Sequence, residues 1–111
     1  MISVSDFSSA SDSLSSVTSE FFGTNGALSG LKDFEFRPQQ QQMAVAVARA
    51  LEEERPLVVE AGTGVGKSLA YLAPAIRKAL DERRKALIST HTINLQEQLV
   101  EKDIPLLQSV M

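Results

Sequence analysis

Residues 58–72 read VVEAGTGVGKSLAYL. No other stretch restricts the possible folds of this chain as much. Gly62, Gly64 and Gly66 stand within five positions, a density that helix and strand interiors do not tolerate because glycine loses the most backbone entropy there. Leu57, Val58 and Val59 come just before, a short wholly apolar run of the kind expected of a strand buried on both faces. Leu69, Leu72, Ala73, Ile76 and Leu80 follow, spaced to line one side of a helix. The local pattern is strand, bare loop, helix.

The flanking sequence extends it. Pro38 suits the first turn of a helix, and Met43, Val47, Ala50 and Leu51 recur at one-face spacing. That helix is predicted to end before Pro56, since the residue ahead of a proline avoids the helical region. Pro74 lies inside the next predicted helix, where its missing N–H predicts a kink. After a charged turn over residues 81–85, Ala86, Leu87 and Ile88 read as a second buried strand. Leu95 and Leu99 begin a third helix predicted to end before Pro105. A strand, a crossover helix and a second strand make a right-handed βαβ unit with parallel strands, so the expected fold class is α/β. In such sheets ligands bind beyond the carboxyl ends of the strands, and both notable loops fall there.

Residues 1–20 are serine-rich and bury little, which predicts a disordered tail or a loosely docked helix. Residues 21–37 are loop-like, and the structured domain is expected over residues 21–111. The chain carries 11 basic and 14 acidic side chains, a net charge of −3. That charge comes from Asp6, Asp12 and Glu20, because the first 30 residues hold no Lys or Arg. Overall charge therefore gives no nucleic-acid signal. With no cysteine, neither a disulfide nor a cysteine metal site forms within the chain. No run approaches the roughly 20 apolar residues of a membrane span, and the start lacks the pattern of a signal peptide. A soluble cytoplasmic location is the expectation.

From Ala61 to Ser68 the loop runs A-x-x-x-x-G-K-S, the phosphate-binding P-loop with alanine at the usual first glycine. Backbone N–H groups of Ala61, Gly62, Thr63, Gly64, Val65 and Gly66 must turn toward one phosphate, and β-carbons would block its approach. A helix starting near Lys67 points its positive end at the same place. Lys67 reaches the β- and γ-phosphates, and the Ser68 hydroxyl suits Mg²⁺. These two are the candidate catalytic residues. Glu60, at the expected strand end, fits a structural role as well as a functional one.

Three segments carry a family resemblance: FEFRPQQQQM (residues 34–43), VEAGTGVGKSLAYLAPAI (59–76) and ISTHTINLQEQLVEKDIP (88–105). They resemble, in order and spacing, the segment upstream of the P-loop, motif I and motif Ia of the DinG/XPD-like helicases of superfamily 2. The similarity spans about residues 21–107. It implies a partial RecA-like P-loop domain, ATP as the nucleotide, and DNA as a partner moved 5′ to 3′. It also implies that Arg37 and Gln40 recognise adenine, a reading against which Gln40 is only one more polar residue of a glutamine run. A glutamine amide both donates and accepts, which matches the adenine edge. Thr90, Thr92 and Asn94 would contact the backbone of single-stranded nucleic acid, although capping a helix is the other role open to the threonines. His91, the only histidine, is assigned no catalytic role.

The 111 residues contain no D-E-x-H or D-E-A-D acidic box, so the chain is expected to hydrolyse no ATP by itself and reads as the N-terminal part of a longer helicase. The resemblance allows an iron–sulfur cluster in such a parent. Two other readings stay open: a different P-loop enzyme such as a kinase, and a nucleotide-binding module without turnover.

Overall fold

The computed structural model describes residues 13–62 and 64–111. Of the serine-rich stretch, residues 1–12 lie outside the described residues, as does Thr63 of the glycine loop. The described elements are α1 (Leu14–Phe21), a 3₁₀ turn (Ala27–Gly30), α2 (Pro38–Glu53), α3 (Lys67–Glu82) and α4 (Ile93–Gln98). A π-helical turn (Leu99–Asp103) and α5 (Ile104–Val110) complete them. None of these helices is long and apolar enough to cross a membrane.

The expected βαβ unit is not there. Among the described residues there is no strand, and the segments 57–59 and 86–88 have no regular structure. Val58 is 96% exposed and Leu87 95% exposed. A strand exists only as part of a ladder, because its N–H and C=O groups are satisfied by a neighbour. An apolar triplet expresses a preference for burial without supplying that neighbour, and these two triplets do not pair with each other. The observed architecture is helical, and the α/β expectation is corrected accordingly.

Helix faces build the core instead. Proline at the start of α2 presets the first turn, and Glu54 in the left-handed conformation ends it. Arg83 ends α3 in the same way, with Arg84 N–H reaching the Ala79 carbonyl at 2.9 Å. α2 packs most extensively on α3 and on α1. Buried Ala44, Ala48, Ala70 and Ala73 let the backbones approach, and Phe22, Leu28, Leu72, Leu99 and Leu107 fill the remaining space. Helix α3 runs through Pro74, which is fully buried. The third helix does not stop before Pro105; it continues through the π turn to Val110.

Helix α1 is tied to α2 by polar bonds as well as by packing. Ser13 caps it by accepting from Ser16 N–H at 3.1 Å. Gln41 Nε2 donates to the Ser19 carbonyl at 2.7 Å, and Ser15 N–H donates to Glu52 Oε1 at 2.6 Å. The chain then folds back so tightly that a β-carbon on Gly26 would overlap the Glu20 and Phe21 carbonyls, lying 2.8 Å from the Phe21 carbonyl carbon. Backbone cannot yield as a side chain would. Gly26→Ala is therefore expected to destabilise the protein by about 3 kcal/mol, the upper end for overpacking. Thermal unfolding checks this, and an unchanged midpoint would show that the turn relaxes freely.

Candidate nucleotide site

The glycine loop follows the irregular stretch after α2 and enters α3 at its first residue, Lys67. Gly64 and Gly66 take φ values of +80° and +85°, the left-handed region that glycine enters without steric cost. β-carbons on Gly62 or Gly64 would meet no atom within 4 Å, so open space lies beside both glycines. No side chain caps the N-terminus of α3, which leaves its first-turn donors to an outside acceptor. Lys67 is exposed and Ser68 half-buried in that first turn. Ala61 and Val65, also half-buried, flank the glycines.

Gln40 joins this loop to α2. Its side chain is 2% exposed, and Nε2 donates to the Gly66 carbonyl at 3.0 Å. The bond uses one amide hydrogen of the two. The arrangement leaves no room at Gly66, where a β-carbon would overlap Gln40 Nε2 and lie 3.1 Å from its Cδ and 3.5 Å from Arg37 Nη1. Arg37, Gln40 and Gly66 together line a cleft of about 370 Å³, within the range of small-molecule sites. Leu31, Phe34, Leu69 and Leu106 supply apolar wall, and Lys32, Asp33 and Glu35 a charged rim. Glu35 also approaches Arg37, 3.7 Å from Nη2.

Sequence reasoning named Arg37 and Gln40 but missed Leu31, Phe34 and Leu106. Phe34 opens the named segment and Leu31 lies three residues before it, and their apolar character was the available signal. Leu106 comes from the far end of the chain, which no local pattern reveals.

Thr90, Thr92 and Asn94 do not line this cleft. They stand at the start of α4, where Thr92 and Asn94 are exposed and Thr90 is half-buried. Thr92 Oγ1 accepts from Leu95 N–H at 3.2 Å, so the capping role is realised at Thr92. Thr90 Oγ1 donates weakly to the Thr92 carbonyl at 3.4 Å. His91 is exposed between them.

A divalent cation fits this set of donors in one way. Among the described residues no group of three or more acidic or histidine side chains could hold a metal. Mg²⁺ commonly takes one or two protein oxygens and completes its shell with phosphate oxygens and water, and the Ser68 hydroxyl in the first turn of α3 is an oxygen of that kind.

Residues 37–109 match the family model described as DEAD/DEAH box helicase. The chain is 49% identical over 85 residues to the ATP-dependent DNA helicase YoaA of Escherichia coli, covering 76% of this chain and 13% of that protein. It is 58% identical over 69 residues to the ATP-dependent helicase DinG of Mycobacterium tuberculosis, covering 62% and 10%. The ATP-dependent DNA helicase DinG of Salmonella choleraesuis shares 46% over 83 residues, covering 73% and 12%. The chain thus spans about an eighth or less of the length of these curated relatives. No solved structure matches it significantly.

Proposed function

Because the chain belongs to the DEAD/DEAH box helicase family, we propose that it forms the ATP-binding portion of an ATP-dependent DNA helicase of the DinG type. The observation that carries this reading is the bond from the buried Gln40 amide to the Gly66 carbonyl. It joins the residue suited to reading a base with the loop suited to holding phosphates.

In this reading Gly62, Gly64 and Gly66, with Ala61, Thr63 and Val65, offer backbone N–H groups to the phosphates. Lys67 neutralises the β- and γ-phosphates, and the N-terminus of α3 adds its dipole. Ser68 would hold Mg²⁺, which would supply positive charge to offset that of the phosphates. Gln40 keeps one amide hydrogen on Gly66, and its other hydrogen and its carbonyl serve the adenine edge. Arg37 borders the same cleft. An iron–sulfur cluster, where the parent carries one, would be held by residues outside this cysteine-free chain. The whole protein would act on DNA in the cytoplasm, with hydrolysis coupled to 5′-to-3′ translocation.

Nucleotide competition tests the base assignment. ATP is expected to displace a fluorescent ADP analogue at least roughly tenfold better than GTP, the worth of one hydrogen-bond mismatch. Gln40→Ala should remove most of that preference. Equal displacement by both nucleotides would refute the Gln40 assignment.

Thr90, Thr92 and Asn94 are proposed to hold the backbone of single-stranded DNA, which positions without reading sequence. The Thr90→Ala/Thr92→Ala double variant is expected to weaken binding of a thymidine oligonucleotide, measured by fluorescence anisotropy. It should also lose about 1 kcal/mol of stability with the Thr92 cap. A loss of stability with undiminished DNA affinity would leave capping as the whole role of these threonines.

A further inference from the structure

One turn of the last helical segment departs from α geometry. Ile104 N–H bonds to the Leu99 carbonyl, five residues back, the ring of a π turn. Its cause is legible in the chain. Pro105 has no N–H to give the Glu101 carbonyl, and in a regular α-helix its ring would press on that carbonyl. Widening the preceding turn relieves the clash. A side-chain bond spans the same turn: Gln98 Nε2 donates to Asp103 Oδ2 at 3.2 Å. Residues five apart on an α-helix sit about 140° apart around its axis, too far round to pair well, so this bond favours the π register. Asp103 is 9% exposed, and the nucleotide reading gives it no task.

The widened turn sets the rotation of everything after it. Taking one residue out of the bulge would turn α5 by about 100° and shift it by about 1.5 Å. Two side chains depend on the present setting. Leu107 is buried in the core, 1% exposed, and Leu106 forms part of the wall of the cleft that holds Gln40 and Gly66.

We infer that Gln98, Asp103 and Pro105 are positioning residues that hold Leu106 against the base of the bound nucleotide. The inference rests on the nucleotide reading above and deepens it. Leu106 shares its cleft with Arg37 and Gln40, the two residues that the nucleotide reading gives to the base, so it is assigned to the base and not to the phosphates. A change that releases the π turn therefore weakens ATP while sparing a ligand that is phosphate alone.

The test compares ATP with inorganic tripolyphosphate, each with Mg²⁺, by calorimetric titration of the full 111-residue chain. Leu106→Ala, Pro105→Ala and Asp103→Ala are expected to weaken ATP roughly five- to tenfold, the loss of part of one buried leucine. In Pro105→Ala and Asp103→Ala, tripolyphosphate affinity stays at the wild-type level. Asp103→Asn keeps a carbonyl acceptor for Gln98 and should bind ATP as wild type does. Unchanged ATP affinity in Leu106→Ala overturns the inference. So does an equal loss of both ligands in Pro105→Ala and Asp103→Ala, since a general disturbance of the fold would produce it. Failure of Asp103→Asn to restore what Asp103→Ala loses also overturns it. Wild-type protein that binds neither ligand overturns the nucleotide reading itself, a result distinct from the other three.

Discussion

Gly66→Ala is expected to cost both stability and nucleotide binding. At φ +85° and ψ 47° an alanine bears about 1–2 kcal/mol of strain. Its β-carbon would also overlap Gln40 Nε2. Gln40 is buried and bonded to this same residue, so the amide has little room to step aside. Losing the hydrogen bond adds about 1 kcal/mol. The combined effect, roughly 2–3 kcal/mol, corresponds to a melting point lower by about 10–20 °C in a chain of this size. Nucleotide binding should fall to the limit of detection, because the displaced loop no longer turns its N–H groups to one point. Calorimetric unfolding and titration with a fluorescent ADP analogue measure the two effects. A variant that melts and binds as the wild type does would mean that the loop is not held in the described conformation.

Lys67→Ala separates the two quantities. Lys67 is exposed at the first position of α3, and alanine is the better helix former. Its removal should leave the melting point unchanged or slightly higher. ATP affinity is expected to fall by a factor on the order of 10–100, the worth of a charge-assisted hydrogen bond to phosphate. ADP should suffer less than ATP, since in the proposed reading the lysine serves the γ-phosphate as well as the β-phosphate. Titration of both nucleotides against the variant decides the point. Equal loss for ATP and ADP would place the ammonium away from the γ-phosphate.

The sequence reading was strongest where the physics is local. Pro38 opening a helix, the amphipathic stripe of α3 and the glycine loop before Lys67 depend on neighbours a few residues away. Each appears in the structure at the expected place, except that the stripe of α3 stops short of Leu80, which is 66% exposed. The family, too, was legible, because strings such as THTINLQEQL carry it without reference to folding. The reading failed where the outcome depends on a distant partner. Val58 and Leu87 look like strand residues in isolation and stand exposed in the structure. Pro105 was read as a helix stop, whereas a π turn lets the helix pass through it.

The same division runs through the site. Sequence alone proposed which backbone a phosphate would approach, from the absence of β-carbons, and which side chain would neutralise it. It also named Gln40 as the polar residue to watch. Only tertiary structure decided that Gln40 would be buried and bonded to Gly66, 26 residues away. It likewise brought Leu106 to the same cleft and set α1 against α2 through Gln41. Conformational freedom is a property of each residue and its near neighbours, so it can be read from the string. Which surfaces meet depends on how several helices share one core, and the chain settles that only once they pack.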